Sequence, residues 1–267
     1  MRDHPFLRQL AVSTAVGLGI YAACAAVIVI AEIVHRRDMS VYRTRNALND
    51  LAYAVFYKCS IYNVMAAPFF GVVVARLQFF RVGLLTRMPA GLSLIVCWVA
   101  ADFLHYWIHR LQHAAAPLWA FHSVHHAQTR LTFLSANRIH ALEELTTGTI
   151  MIVPALVLGL PQRLWLPLLL LQLFSETAQH ARLSWSFGPL HRLLVSPAFH
   201  AVHHSTDARE YNGNYGRVFS LWDLLFGTFV RPTTAMRSYG VAGMDVPERL
   251  GAQFVHPFRM LFRDSGS

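Results

Sequence analysis

Histidines are the residues of this chain whose number and spacing most clearly suggest chemistry. There are 15 in 267 residues, and all but His4, His35 and His256 lie between His105 and His204. Residues three or four apart on a helix share a face, so closely spaced histidines point their imidazoles the same way. Three clusters have this spacing: His109-x-x-x-His113, His122-x-x-His125-His126 and His200-x-x-His203-His204.

Imidazoles gathered on helix faces provide the ligands that a transition metal requires. Neutral imidazole is the commonest protein ligand for such metals. Three clusters offer more nitrogen atoms than one tetrahedral zinc ion can use, so they predict two metal ions. An isolated histidine is more often structural, but a repeated spacing on predicted helices favours ligation.

The rest of the composition indicates a membrane protein. The chain is 55% hydrophobic and 14% charged, with a mean hydropathy of +0.38, which is too apolar for an ordinary soluble domain. Residues 10–34 form an apolar run that satisfies the ~20 residues of a membrane span and exceeds the ~7–15 residues of a signal-peptide core. Further apolar runs lie at about 51–74, 91–109, 145–160 and 164–180. We therefore expect an all-α, polytopic membrane bundle without substantial sheet.

The last two apolar runs flank Gly159-Leu160-Pro161-Gln162, which is a turn signal. They should form a tight hairpin that returns His180 to the side of the clusters, as a ninth metal ligand. Lys58 interrupts the run at 51–74. A charge facing lipid is costly, so Lys58 is expected at the interface or in the bundle interior.

The formal net charge of +9 would suggest a nucleic-acid partner in a soluble protein. In a membrane protein it is better explained by the positive-inside rule and by anionic lipid headgroups, so we expect no nucleic acid. Arginines crowd the loop after the first apolar run: Arg36, Arg37, Arg43 and Arg45. They mark that side as cytoplasmic, and the histidine clusters should form a helical cap there.

Polar residues near the clusters could support the metal ligands or join them. Asp102 is a possible acceptor for a ligand imidazole, since metal-bound histidine usually donates its other N–H. His105 extends the ladder of His109 by one turn, where a supporting or packing role fits better than ligation.

Two further polar pairs are one helical turn apart. His140 and Glu143 could belong to the site or to a solvated helix face. Glu176 and His180 end the second helix of the hairpin, where polar groups are expensive unless they have a function.

The order of these motifs resembles the fatty acid hydroxylase (sterol desaturase) superfamily. Asp102-Phe103 precedes the first cluster, and Asn214-Tyr215-Gly216 and Trp222-Asp223-x-x-Phe226-Gly227-Thr228 follow the last. The resemblance covers about residues 95–230 and adds Asn214 and Asp223 to the residues that could support the metal ligands. Arg138-x-His140-x-x-Glu143 is similar to a segment common in bacterial members, with Ala141 where proline is frequent.

This resemblance implies an integral-membrane, non-haem di-iron oxygenase in which the eight cluster histidines bind two iron ions and O2 is the co-substrate. It implies hydroxylation or desaturation of a lipid: an acyl chain, sterol, carotenoid or ether lipid. We find no haem-binding loop, C-x-x-C pair or dinucleotide fingerprint, so electrons are expected from a separate ferredoxin, cytochrome or reduced pterin. Three parts are expected: membrane helices at 1–90, a catalytic domain at 91–235 and a C-terminal tail at 236–267.

Two other functions fit a histidine-rich membrane protein. A zinc or iron transporter or sensor would spread its ligands through the bilayer, with carboxylates along a path. A zinc-dependent membrane hydrolase would need fewer ligands and a water-activating carboxylate such as Glu143 or Glu176.

Overall fold

The computed structural model of the chain describes residues 5–232 and 237–263. Within these ranges the chain is mostly helical and contains no strand, only an isolated bridge between Ser205 and Tyr239. The expected all-α class is therefore confirmed. The helices are α1 (Pro5–Val34), α2 (Arg45–Lys58), α3 (Ile61–Leu77), α4 (Ala90–Ala114), α5 (Ala116–His126), α6 (Ala141–Val157), α7 (Trp165–Gln179), α8 (Pro197–His203), α9 (Leu221–Phe226) and α10 (Leu250–Arg263).

Three helices of the described ranges are long and apolar enough to cross a membrane: Leu10–Val34, Ile61–Phe80 and Ala90–Ala114. Their outer faces carry large apolar side chains that no other described part of the chain covers. Ile30 in α1 and Met65 in α3, for example, are 60% and 68% exposed. Such faces suit contact with lipid, because their side chains are apolar and a helix satisfies its backbone hydrogen bonds without water. The chain is an integral membrane protein.

The apolar run at 51–74 forms parts of two helices and not one. It divides at Ser60, whose φ of 61° is left-handed, so that α2 ends at Lys58 before α3 begins. The Lys58 Nζ atom lies 5.5 Å from the centre of the Tyr21 ring in α1. The charge of Lys58 thus points into the bundle, which is one of its two expected positions. A charged side chain is costly in a continuous membrane span, so its presence favours a break in the helix at this point.

The expected turn joins α6 to α7 and includes Gly159 at a φ of 77°, but the two helices pack mainly on other helices and do not form a tight hairpin. A Cβ atom on Gly159 would lie 2.9 Å from the Cα of Gly83, so this turn packs closely against the segment before α4. The two helices have 17 and 15 residues, fewer than the ~20 of a full span. Helix α6 packs on α4 and α7 on α1, which brings His180 back to the histidine clusters.

The short helices α5, α8 and α9 and their loops form a cap over one end of this bundle. Residues 236–267, expected as a tail, include α10, which packs against α5. The Phe254 ring of α10 stacks on Tyr53 of α2, with 5.5 Å between ring centres. This helix therefore belongs to the folded part of the protein.

Candidate metal centre

Nine histidines come together in two adjacent groups, which could each hold a metal ion. The first group consists of His109, His113, His122, His126 and His203, and the second of His125, His180, His200 and His204. Within each group the candidate ligand nitrogens lie within 4.8 Å of one another. The two groups adjoin, because the rings of His126 and His204 stack with 4.4 Å between their centres.

The two H-x-x-H-H clusters explain why the groups adjoin. On α5, His122 and His126 face the first group, while His125 faces the second. At α8 the division is reversed, since His203 faces the first group and His200 the second. Residues four apart share a helix face and the third histidine lies beside it, so both segments run between the groups and contribute to each.

The outward nitrogen of five of these imidazoles is fixed by an acceptor. The Nδ1 atoms of His109, His125, His180 and His203 lie 2.8–3.1 Å from the carbonyl oxygens of Tyr215, Arg138, Glu176 and Gly213 respectively, and that of His122 lies 2.6 Å from Glu143 Oε1. A neutral imidazole has one N–H. Because Nδ1 donates it to these acceptors, each Nε2 carries a lone pair towards the centre of its group.

These lone pairs face one another across distances that suit a shared cation. Nε2 of His109 lies 3.1 Å from Nε2 of His122, and Nε2 of His125 lies 3.4 Å from Nε2 of His180. Two lone pairs cannot form a hydrogen bond, but two nitrogens bound to one ion at ~2.1 Å are about 3.0–3.4 Å apart. The Nε2 atoms of His113, His126 and His203 are buried without a partner: this also fits metal ligation.

Burial keeps these imidazoles in the form that binds metal. For the cluster histidines of α5, of α8 and of the residue that follows α8, burial and then the neighbouring groups hold the pKa well below its usual range: His122, His125, His126, His200, His203 and His204. A histidine that stays neutral retains the lone pair that a metal needs.

Of the carboxylates near the centre, Glu143 contacts a candidate ligand directly and Glu176 does so through its backbone. Glu143 Oε1 also accepts a hydrogen bond from Gln112 Nε2 at 3.2 Å. Glu176 accepts from His180 with its carbonyl, while its side chain pairs with Arg217 at 3.0 Å. Gln112 was not among the expected residues, because a glutamine beside His113 carries no distinctive spacing.

The role expected for Asp102 as acceptor for a ligand imidazole is wrong. Its carboxylate accepts hydrogen bonds from the backbone N–H groups of Val218 and Phe219 and from Nε1 of Trp222, at 2.9–3.0 Å. Three N–H donors from residues 218–222 satisfy this buried carboxylate, and no hydrogen bond joins it to a histidine among the described residues. Asp102 instead ties α4 to the segment that follows the third cluster.

Asn214 and Asp223 act on the same segment. Asp223 accepts from the backbone N–H groups of Tyr215 and Gly216, both at 2.8 Å, and Asn214 accepts from that of Val230 at 2.7 Å. Together, Asn214 and Asp223 fix the backbone that carries the carbonyl oxygens of residues 213 and 215. These oxygens accept hydrogen bonds from His203 and His109 respectively. These two residues thus support the ligands through the backbone, without touching them.

His105 and His140 do not join either group. The His105 ring centre lies 5.5 Å from that of His109, on the wall of the cavity described below. His140 donates from Nε2 to the Phe254 carbonyl at 3.1 Å and caps α6 by accepting from the Leu142 N–H. The suggestion that His140 belongs to the site is wrong, because its position before α6 directs it to α10 and away from the metal groups.

A buried ion pair that sequence reasoning missed supports the second group. Arg138 Nε lies 2.6 Å from Asp50 Oδ1, and both side chains are 1% exposed. The Arg138 carbonyl accepts from His125, so the pair anchors the backbone behind a candidate ligand. Asp50 is 88 residues away in sequence, and no motif signals the pairing.

A small cavity of about 40 Å³ adjoins both histidine groups. Polar side chains dominate its wall, among them Gln112, Glu143, Thr147, Glu176 and Arg217. The Oε2 atom of Glu143 is buried there without a partner. The cavity could therefore hold a small reactant or a polar part of a larger one beside the metal centre.

Sequence comparisons with known proteins identify relatives of this chain. The chain is 31% identical to the ornithine lipid hydroxylase OlsE of Rhizobium tropici over 64% of this chain and 52% of that protein. It is 31% identical to the human (Homo sapiens) alkylglycerol monooxygenase, over 60% of this chain and 36% of that protein. The methylsterol monooxygenase 1 of Danio rerio is 30% identical over 49% of this chain and 45% of that protein.

The chain thus spans about half the length of the first of these relatives and about a third of the second. No solved structure matches it significantly. A family model described as fatty acid hydroxylase matches residues 94–228, about half of the chain. That range contains all nine clustered histidines, and the chain belongs to the fatty acid hydroxylase family.

Proposed function

We propose that this protein is a membrane-bound di-iron oxygenase that hydroxylates or desaturates a lipid. The observation that carries the proposal is the pair of adjoining histidine groups, with lone pairs that face one another in a buried site. Nine imidazoles would hold two iron ions, His109, His113, His122, His126 and His203 on one side and His125, His180, His200 and His204 on the other.

Two iron ions so held would activate O2 for attack on an unactivated C–H bond, which no protein side chain can attack. The protein's own contribution is to orient the ligands and exclude water. Glu143 and the carbonyl oxygens of residues 138, 176, 213 and 215 fix five of the rings. The buried surroundings of both groups keep bulk water from the reacting atoms.

The two alternative functions receive less support. A transporter would need ligands along a path through the bilayer, whereas these nine converge on one end of the bundle. A zinc hydrolase would hold one ion through about three protein ligands and keep one position open for water, whereas two adjoining groups of candidate ligands lie here. Nine clustered nitrogens also exceed the needs of a single catalytic zinc ion.

The substrate, electron donor and orientation are also proposals. The names of the relatives refer to ornithine lipid, alkylglycerol and methylsterol, and the exposed apolar helices here suit a substrate that arrives from the bilayer. Electrons would come from a separate ferredoxin, cytochrome or reduced pterin. The arginines that follow α1 favour a cytoplasmic position for the metal centre.

The experiment is conversion of a lipid extract by membranes that contain the protein. These are supplied with iron, isotope-labelled O2 and a reductant, and the lipids are analysed by mass spectrometry. We expect a lipid that gains one labelled oxygen atom or loses two hydrogen atoms, and purified protein that contains two iron ions per chain. Protein that retains only zinc and leaves every lipid unchanged would contradict the proposal.

A further inference from the structure

A second concave site lies apart from the cavity at the metal centre. It is a groove of about 450 Å³, within the ~300–1,000 Å³ of typical small-molecule sites. We call it the arginine groove after the four arginines among its lining residues: Arg37, Arg130, Arg182 and Arg237. No carboxylate is among the described residues that line it.

Nearby acidic residues do not balance this charge. Arg237 pairs with Glu210 at 2.9 Å. Arg37 donates to the Ser184 hydroxyl at 2.8 Å and Arg182 to the Asp38 carbonyl, but neutral acceptors leave a guanidinium charged.

Asp38 is exposed and interacts with Arg130 and Arg182, and Glu32 accepts from the Arg182 backbone. The four arginines of the groove thus have three carboxylates nearby, so positive charge remains in excess. These carboxylates are Glu32, Asp38 and Glu210. In addition, the Nε atom of Arg37 is buried without a hydrogen-bond partner.

The arginine groove lies directly behind two candidate metal ligands. Gln179 and Ala181, which flank His180 in sequence, line the groove, as do Ala198 and Ala201 on the helix of His200. Gln179 also lines the cavity beside the metal centre, and its Oε1 atom is buried without a partner. A ligand in the groove would therefore be separated from the metal centre mainly by the backbone segments that carry His180 and His200.

The position of the groove relative to the membrane indicates the kind of ligand. Arg37 follows the membrane helix that ends at Val34, and Trp185, next to the groove residue Ser184, is 40% exposed. Tryptophan and arginine near the end of a membrane helix are typical of the interfacial region, where lipid headgroups lie. A concave site of this size suits a headgroup better than the surface of a folded protein.

We propose that the arginine groove binds the anionic headgroup of a lipid. Guanidinium groups present paired N–H donors that match the oxygens of a phosphate or carboxylate and hold them through charge-assisted hydrogen bonds. The inference does not require the proposed oxygenase activity, because binding can be measured without turnover. A free inorganic anion is the other source of the same chemistry, and the test distinguishes the two.

The test uses the full chain, purified in a non-ionic detergent, and two probes with the same acyl chain. Lysophosphatidic acid carries a phosphate, and monoacylglycerol is its neutral counterpart. Binding is measured by native mass spectrometry. We expect the double variant Arg37→Gln/Arg182→Gln to bind lysophosphatidic acid about 10-fold or more weakly, because charge-assisted hydrogen bonds are lost. Monoacylglycerol binding should remain the same.

Arg37 and Arg182 also hold Ser184 and Asp38, so the double variant could disturb its surroundings. The variant Arg130→Gln removes an exposed arginine of the groove and should weaken binding by a smaller factor. The control Arg87→Gln/Arg163→Gln removes the same charge from exposed positions outside the groove. It should bind like the unmodified chain, and equal weakening there would overturn the proposal.

Inorganic phosphate is the competitor that separates the two sources. If lysophosphatidic acid stays bound in millimolar phosphate, the lipid headgroup is the ligand, as proposed. If phosphate alone displaces it, the groove is a site for free anions and the lipid assignment is overturned. If the protein binds both lipid probes equally, or binds neither, the proposal is also overturned. The arginines would then serve to bind another partner, such as an acidic protein.

Discussion

The carboxylate of Glu143 lies 2.6 Å from Nδ1 of His122, and both side chains are 5% exposed. This contact joins the start of α6 to α5 at the metal centre. A carboxylate that accepts the outer N–H of a ligand imidazole fixes the ring orientation and makes its other nitrogen a better ligand. Gln112 donates to the same carboxylate oxygen at 3.2 Å and so fixes the carboxylate in turn.

Replacing Glu143 with alanine should therefore lower metal affinity by roughly 10–100-fold, the usual effect of losing such a partner. Metal content is measured after dialysis against a chelator of graded concentration. The matched control is Glu248→Ala, an exposed glutamate outside the site, which should retain metal like the unmodified chain. Equal retention by both variants would show that Glu143 does not support His122.

Removal of a candidate ligand should be more damaging than removal of a neighbouring histidine. His203→Ala deletes an Nε2 atom that faces the first group without a partner, so we expect loss of metal and of lipid oxidation with normal membrane insertion. His140→Ala deletes a helix cap that lies apart from both groups, and its metal content should not change. Full turnover by the His203→Ala protein would contradict the di-iron proposal.

The clusters could be predicted from the sequence because ligand spacing is a local property of helices. Spacings of three and four residues already require His122 and His126, or His200 and His204, to share a face. His180 could be placed as well, because the turn at Gly159 reverses the chain and returns α7 to the same end.

Contacts between distant segments could not be predicted. Asp102 and Asp223 hold a loop by its backbone N–H groups, and the backbone carries no sequence signal for such contacts. The ion pair between Asp50 and Arg138 depends on how α2 packs beside residues 133–138. Local patterns thus identified the ligands, whereas tertiary packing decides which groups hold them in place.

The loop after the third cluster should tolerate no side chain at Gly216. A Cβ atom there would lie 2.5 Å from the Phe219 carbonyl oxygen and 2.9 Å from Asp223 Oδ2. We expect Gly216→Ala to destabilise the protein by roughly 1–3 kcal/mol, as overpacking does, and to lower metal content because the neighbouring Tyr215 carbonyl holds His109.

Gly91→Ala is the control for this substitution. Gly91 lies in α4, and a Cβ atom added there would meet nothing within 4 Å beyond the local backbone of its own helix, so alanine should be neutral or stabilise the helix by up to about 1 kcal/mol. Thermal unfolding in detergent and metal analysis compare the two variants. A Gly216→Ala protein as stable and as metal-rich as Gly91→Ala would contradict the role given to this loop.

The buried pair of Arg138 and Asp50 makes a prediction about stability. Arg138→Met leaves the Asp50 carboxylate uncompensated in a buried position, which should cost about 3–5 kcal/mol. The double variant Arg138→Met/Asp50→Leu removes both charges and should recover much of that loss, since an apolar pair of similar volume can replace a buried ion pair. Arg209→Gln, which breaks an exposed pair with Asp207, should leave the unfolding temperature unchanged. If the single and double variants unfold at the same temperature, an uncompensated charge is not the cause of the loss.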